Sequence, residues 1–210
     1  GGAASSSSED NAIVVNNPGV INFSSDMKTV TNKDKQEVVV SRNSQVTLTD
    51  EKGKLIEQHK LIYGATLFVK DQTNVEPGLK IAGWDPYTRP IISEVEGIVQ
   101  FTDIDDGVTV RSKTDELTGL SSIEVIDVAE RPSAGKEKVP SIALVDAKGK
   151  PVPLGEHKTP ANYSLPAKAL VNLKDGKKLH AGEVLARIPL EGSKTKDITG
   201  GLPRVAELFE

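Results

Sequence analysis

The sequence predicts an all-β protein built from two copies of one unit. Three sequence blocks recur in the same order, and short β-branched runs separated by turn residues fill most of the chain. A helical period is not found before residue 190. Many short strands with turns about every 8–12 residues are typical of β-sandwiches and β-barrels.

The best-matched blocks are residues 65–71 (ATLFVKD) and 169–175 (ALVNLKD). Each block is followed at the same spacing by a glycine and then an alanine, in the pairs Gly78 with Gly182 and Ala82 with Ala186. Because fixed-period similarity is the signature of a repeat, these matches indicate an internal duplication.

Two upstream blocks recur in the same order. Residues 48–54 match 144–150, and residues 19–23 (GVINF) match 97–101 (GIVQF). The offset between the copies grows along the chain, which indicates loop insertions in the second copy. We therefore expect Ala65, Asp71 and Gly78 to be equivalent to Ala169, Asp175 and Gly182.

The elements follow in order. Residues 1–11 form a Gly/Ala/Ser-rich flank with the composition of a flexible linker. The first unit spans 12–88, with strands predicted in the runs 13–15, 20–23, 38–40 and 46–48. Residues 51–54 and 147–150 have hairpin-turn composition.

The second unit spans 89–192. Residues 91–101 predict a strand, a glycine and another strand, and Asp106–Gly107 then turns the chain into 108–111. Residues 131–138 have loop composition. A C-terminal flank, 193–210, contains a predicted short helical segment, since Pro203 suits a first helical position. Its apolar face is formed by Leu202, Val205, Leu208 and Phe209.

Composition excludes several classes of protein. With no cysteine, the chain has no disulfide scaffold, thiolate zinc site or cysteine nucleophile. The net charge of −4 argues against extensive electrostatic binding of nucleic acid. No apolar run approaches the roughly 20 residues needed to cross a bilayer, and no signal peptide is expected. Together these features are compatible with a cytoplasmic protein.

The sequence gives only weak evidence for a metal site. His59, His157 and His180 are the three histidines, and none is spaced to form a metal site with another. Residues 103–107 (DIDDG) suggest calcium, but the glycine is at the fifth position and Thr114 occupies the twelfth, where a glutamate is needed. A solvated hairpin turn is the better interpretation of that segment.

Candidate catalytic groups are equally isolated. Glu94 and Glu96 are expected to share one face of a strand, which could imitate a carboxylate pair, but no aromatic platform for a sugar lies nearby. Nucleophile-elbow context is missing at all three candidate serines, Ser41, Ser93 and Ser164. Trp84 is expected to be a core or inter-domain residue. The sequence thus predicts no catalytic residue, no cofactor and no metal site.

The ends of the chain resemble a known family. Residues 1–5 (GGAAS) and 195–210 (TKDITGGLPRVAELFE) resemble the two halves of the trigger loop in the β′ subunits of bacterial DNA-directed RNA polymerases. Residues 114–122 (TDELTGLSS) and 186–189 (ARIP) resemble the long insertion that splits this loop in some lineages. The serine-rich start and residues 24–37 depart from the family pattern.

The resemblance implies two tandem sandwich-barrel hybrid motifs and a regulatory role in elongation, pausing and transcript cleavage. The catalytic residues, the magnesium-binding aspartates and the zinc-binding cysteines would lie in other segments of that nucleotidyltransferase. Partners would be other polymerase subunits and β′ regions, with elongation or transcript-cleavage factors as further candidates. Residues at the start of the second trigger helix would be Thr199, Gly200, Gly201, Leu202, Pro203, Arg204 and Val205.

Two other functions are less well supported by the residues. The turns at 71–78 and 175–182 resemble those of biotinyl or lipoyl carrier domains, which need a modifiable lysine at a hairpin tip. Neither copy offers a lysine flanked by small residues or methionine there. An oligonucleotide-binding barrel is disfavoured by the charge and by an aromatic content of only 4%.

Overall fold

The structure, a computed structural model, describes residues 11–190. The chain divides into two compact units between Pro86 and Tyr87. Apart from short 3-10 turns, the regular structure of these residues is strand, and every strand pair among them is antiparallel. The prediction of an all-β protein is therefore confirmed. The predicted C-terminal helical segment lies outside the described residues.

The first unit contains nine strands in two sheets. They are β1 Ala12–Val14, β2 Gly19–Phe23, β3 Thr29–Thr31, β4 Glu37–Val39, β5 Gln45–Thr49, β6 Leu55–Lys60, β7 Thr66–Leu67, β8 Asn74–Val75 and β9 Lys80–Gly83. One sheet has five strands in the order β1-β9-β7-β4-β3, and the other has four in the order β6-β5-β2-β8.

The second unit contains eleven strands. They are β10 Thr88–Ile92, β11 Gly97–Thr102, β12 Val110–Thr114, β13 Ser121–Val125, β14 Ser141–Val145, β15 Pro153–Leu154, β16 Thr159–Pro160, β17 Asn162–Ser164, β18 Leu170–Val171, β19 Lys178–Leu179 and β20 Val184–Pro189. Its sheets have the orders β10-β20-β18-β13-β12 and β17-β14-β11-β19, and β15 and β16 pair separately.

The two units share one topology. Strands β1–β5 correspond to β10–β14, β6 corresponds to β17, and β7–β9 correspond to β18–β20, so that β15 and β16 are an insertion in the second copy. Ala65 and Ala169 are both fully buried and directly precede the matching strands β7 and β18. Gly78 and Gly182 both donate a backbone hydrogen bond to the first segment of their unit, at 2.7 and 2.8 Å. The equivalences expected from the sequence repeats are found in the structure.

Each unit has its own aliphatic core. In β5 the side chains of Val46 and Leu48 are completely buried while the alternating residues of the strand are only partly buried, as expected for a strand with one face on a core. The core of the second unit contains the matching strand β14, in which Ile142 and Leu144 are also fully buried. With few aromatic residues available, Val, Ile, Leu and Ala supply nearly all of the buried surface in both cores.

The turn after β5 shows why the repeats preserve short polar blocks. The side chain of Asp50 accepts backbone hydrogen bonds from Lys52 and Lys54, at 2.8 and 2.9 Å, and Gly53 adopts a φ of +81°. Such a positive φ is readily available to glycine. Asp146 makes the same two bonds, both at 2.9 Å, and Gly149 has a φ of +82°. The predicted turns at both positions are confirmed.

Candidate functional site

The histidines do not form a metal site. His59 lies on β6, His157 lies in the turn between β15 and β16, and His180 follows β19. Among residues 11–190, no three side chains of His, Asp or Glu are grouped so that they could hold one metal ion.

His59 takes part in a local network centred on Glu57. Its Nε2 lies 2.7 Å from Glu57 Oε1, and the backbone of Asn16 and the side chain of Asn17 each donate to Glu57 Oε2 at 2.9 Å. Burial would raise the pKa of Glu57, but the hydrogen bonds from His59, Asn17 and Asn16 outweigh it and lower the pKa below its usual value. This network ties β6 to the segment before β2 and is structural.

The segment 103–107 is a turn, but the prediction of a hairpin there is wrong. Strands β11 and β12, on either side of it, belong to different sheets and do not pair. The chain crosses from one sheet to the other here. Thr109 stabilises this crossing, since its Oγ1 donates to the carbonyl of Asp103 at 2.6 Å and accepts from the backbone N–H of Asp105 at 2.9 Å. The Asp105 carboxylate pairs with Lys138 Nζ at 2.6 Å, so its charge is already satisfied by the protein.

Glu94 and Glu96 do not lie on a strand, which corrects the expectation that they share a strand face. Residues 93–96 form a bend between β10 and β11. The bend is fixed by the buried Ser93, whose hydroxyl donates to the carbonyls of His180 and Glu183 at 2.9 and 3.2 Å. Glu96 is 3.7 Å from Lys178 Nζ in an exposed ion pair. The two carboxylates therefore do not form a general acid and base.

The remaining candidates also have structural surroundings. Ser41 Oγ lies 2.6 Å from Ser44 Oγ and accepts from the backbone of Lys28, whereas Ser164 is an exposed residue at the end of β17. Trp84 is partly buried and packs against the core of the first unit. Neither serine has a histidine in hydrogen-bond contact among the bonds that the structure shows.

The two turns that resemble a carrier domain act as braces. Asp71 accepts a hydrogen bond from the backbone N–H of Phe23 on β2, and Asp175 accepts one from that of Phe101 on β11. In the first copy the lysine that follows the turn, Lys80, lies within β9 with its Nζ 5.7 Å from the centre of the Phe68 ring. At the matching position the second copy has Val184. The two copies therefore do not share a lysine at this position.

A surface cavity of about 530 Å³ opens on the first unit next to Gly19. Its charged lining residues are Asp50, Glu51, Glu76 and a single cation, Lys52. Three carboxylates around one lysine disfavour a phosphate-bearing ligand, because phosphate recognition needs an excess of cationic or backbone N–H donors.

The loop after β13 contains a buried cation that sequence reasoning missed. Arg131 is only 6% exposed, and its guanidinium donates to the carbonyls of Ile126, Gly135 and Lys138 at 2.9, 3.1 and 3.0 Å. These bonds fold residues 126–138 into a compact loop. The composition of this segment indicated only a loop, and a lone arginine among loop residues gave no signal that it would be buried.

The hairpin formed by β12 and β13 differs at its tip from the matching hairpin of the first copy. Leu117 and Leu120, in the turn of this hairpin, are 82% and 68% exposed. The sequence of this segment indicated only the family resemblance. Comparison of the two repeats supplies the missing signal, because the matching turn of the first unit, residues 32–36 (NKDKQ), is wholly polar.

The trigger-loop flank predicted at Thr199–Val205 lies outside the described residues. Within those residues, no helix has the length and apolar content needed to span a membrane. The described part of the chain therefore presents braced turns, two aliphatic cores and one apolar hairpin tip, with no convergent set of catalytic groups.

Comparison with known proteins gives the relationship. No family model matches the chain. All 210 residues match DNA-directed RNA polymerase subunit β′ of Idiomarina loihiensis at 51% identity, of Aliivibrio fischeri at 54% and of Cellvibrio japonicus at 50%. The chain spans 15% of the length of each of these relatives. The chain is therefore homologous, over its whole length, to one segment of the bacterial DNA-directed RNA polymerase β′ subunit.

Proposed function

We propose that the chain is a non-catalytic insertion in the trigger loop of a bacterial RNA polymerase β′ subunit, where it biases the folding of that loop. The observation that carries this proposal is the match of all 210 residues to a 15% segment of β′ subunits. The resemblance of residues 1–5 and 195–210 to the two halves of one loop supports a position of the two units within that loop.

The lack of a catalytic constellation in residues 11–190 supports a regulatory role. Nucleotide addition would be the work of the whole polymerase, and its catalytic metal would be held by segments of β′ outside this chain. Other polymerase subunits and β′ regions are the expected partners, elongation and cleavage factors are further candidates, and the expected location is the bacterial cytoplasm. Direct nucleic-acid binding would be weak because the chain has a net charge of −4.

The proposed mechanism depends on the covalent attachment of the two units to the trigger loop. When the trigger loop folds over a nucleotide, the two units must move with it, so that any contact made in one position and not in the other shifts the folding equilibrium. A difference of about 1.4 kcal/mol changes that equilibrium tenfold. Modest surface contacts are therefore sufficient to alter elongation, pausing and transcript cleavage.

Removal of the insertion from the intact polymerase tests this proposal. Residues 6–194 are deleted, the ends are rejoined, and single-nucleotide addition and transcript cleavage are compared with those of the unaltered enzyme. We expect bond formation to remain and the rate of cleavage to change by about fivefold or more, the lower end of usual coupling. Unchanged cleavage would contradict a regulatory role, and loss of bond formation by a folded enzyme would show a more direct one.

A further inference from the structure

The turn between β12 and β13 carries two strongly exposed leucines. Leu117 and Leu120 are the two most exposed large apolar side chains recorded for these residues, at 82% and 68%. Single exposed leucines are ordinary on protein surfaces. Two leucines three residues apart in one turn form a compact apolar knob, which would gain free energy if it were buried against another surface.

This turn is held in one conformation by its own polar groups. The backbone N–H of Asp115 donates to the carbonyl of Leu120 at 2.9 Å, and that of Gly119 donates to the carbonyl of Asp115 at 2.7 Å. Asp115 Oδ1 accepts from the backbone of Leu117 at 2.9 Å, and Thr118 Oγ1 accepts from that of Leu120 at 3.2 Å. An ordered turn loses little conformational entropy when it docks, which favours binding.

The first unit supplies an internal comparison. Its equivalent hairpin, β3 and β4, also closes with a side-chain-braced turn, in which Asn32 Oδ1 accepts from the backbones of Asp34 and Gln36 at 2.9 Å each. That turn has the sequence NKDKQ and no apolar side chain. Since a polar turn closes the same hairpin equally well, closing the hairpin does not require the leucines.

The charges around the knob indicate the chemistry of its partner. On the hairpin stem, Arg111 and Lys113 are each 3.6 Å from a carboxylate oxygen of Glu124. The turn itself carries Asp115 and Glu116, and no ion pair is recorded for Glu116 within residues 11–190. The cations are therefore paired while the tip is acidic. Such a tip complements a basic protein surface and is repelled by anionic lipid.

We infer that residues 115–120 dock into an apolar pocket bordered by lysine or arginine on another part of the β′ polypeptide. This inference rests on the proposed function. Most of the β′ relatives' length lies outside the region that this chain matches, so such a surface has ample sequence from which to form. Docking in only one position of the trigger loop would supply the differential contact that the proposed mechanism requires.

Site-specific photo-crosslinking in the intact polymerase tests the docking site. A photoreactive amino acid replaces Leu117 in one variant and Asp34, at the matching polar turn, in the control. We expect position 117 to crosslink at least about fivefold more than position 34, to a β′ peptide with apolar and basic residues. Equal crosslinking at the two positions, or crosslinks from position 117 only to another polymerase subunit, to lipid or to a second polymerase, would overturn the inference.

Pause lifetimes of two variants separate this inference from the proposed function. One variant is the double substitution Leu117→Ser with Leu120→Ser, and the other is the charge reversal Glu116→Lys. Each should move the pause lifetime in the same direction as deletion of residues 6–194. Each should also reduce crosslinking from a photoreactive label at position 118. An Asp34→Lys control should leave both unchanged. If deletion alters pausing but both tip variants behave as the unaltered enzyme does, the docking site is wrong and the proposed function stands.

Discussion

Asp71 Oδ1 accepts the backbone N–H of Phe23 at 2.8 Å, and the same bond recurs between Asp175 and Phe101 at 3.0 Å. Each aspartate follows a short strand of the five-stranded sheet, and each phenylalanine lies on a strand of the four-stranded sheet, β2 or β11. One carboxylate thus connects the two sheets of each unit.

Loss of this brace should destabilise the unit that contains it. We expect Asp71→Ala to cost about 1 kcal/mol, because the bond is charge-assisted but exposed to solvent. Hydrogen exchange followed by mass spectrometry should show faster exchange in residues 19–23. Asp175→Ala should do the same for residues 97–102, while Asp71→Asn, which keeps an acceptor oxygen, should lose less. Exchange equal to that of the unaltered chain in both alanine variants would show that the bond contributes nothing.

A methyl group at Gly19 should be tolerated less well than one at Gly97. A Cβ at Gly19 would lie 2.6 Å from the carbonyl oxygen of Thr49, whereas at Gly97 the closest atom would be Leu144 Cβ at 3.0 Å. We expect Gly19→Ala to cost about 1–3 kcal/mol and Gly97→Ala less, since steric overlap in a packed structure is destabilising. Urea unfolding followed by circular dichroism measures both. A larger loss for Gly97→Ala would contradict this assignment of close contacts.

Glu37 should make stability depend on pH in the acid range. Its carboxylate accepts from the hydroxyls of Thr29 and Thr31, both at 2.6 Å, and these bonds, first Thr29 and then Thr31, lower the pKa of Glu37 below its ordinary value of 4.5. A group with a depressed folded-state pKa stabilises the fold fully above its unfolded pKa, and that stabilisation is lost as the pH falls through the folded value.

Glu37→Gln should therefore lower the melting temperature at pH 7 and flatten its dependence on pH below about 4.5. Thermal unfolding of both proteins between pH 7 and pH 3 measures the difference. The control is Glu51→Gln, in an exposed turn where the structure records no side-chain bond for Glu51 within residues 11–190. Parallel curves for Glu37→Gln and the unaltered chain would show that the two threonines do not stabilise the anion.

Arg131 should be required for the order of the loop that it fills. Arg131→Met would leave three carbonyls without their guanidinium donor, and we expect a cost of about 1–3 kcal/mol. Arg131→Lys should recover little, because an ammonium group cannot reproduce the planar geometry of guanidinium. Hydrogen exchange of residues 126–138 is the readout. Full protection of this loop in Arg131→Met would mean that other contacts hold it.

The sequence revealed most of the fold because the repeated features are local. The turn at Asp50 depends on an aspartate and a glycine at fixed spacing, and the copy at Asp146 repeats that spacing. Such side-chain-to-backbone bonds within a few residues can be inferred from a single sequence. The duplication could be recognised for the same reason.

Features that depend on distant parts of the chain could not be inferred in this way. The bend at Glu94–Glu96 is set by Ser93, whose bonding partners His180 and Glu183 are far away in sequence. Burial of Arg131 is local, since its bonds reach only Ile126, Gly135 and Lys138, but a single arginine in a loop gives no signal for it in the sequence. Exposure of Leu117 opposes the general expectation that leucine is buried, and in the sequence only the comparison with the polar turn at 32–36 signals it.

The pause lifetime of the intact polymerase, with and without residues 6–194, tests the central claim most directly. Both enzymes transcribe one template that carries a defined pause, and the time spent at that pause is measured at the same nucleotide concentration. If the insertion biases closure of the trigger loop, the two lifetimes should differ by about fivefold or more, while bond formation away from the pause continues. Identical lifetimes would contradict the claim.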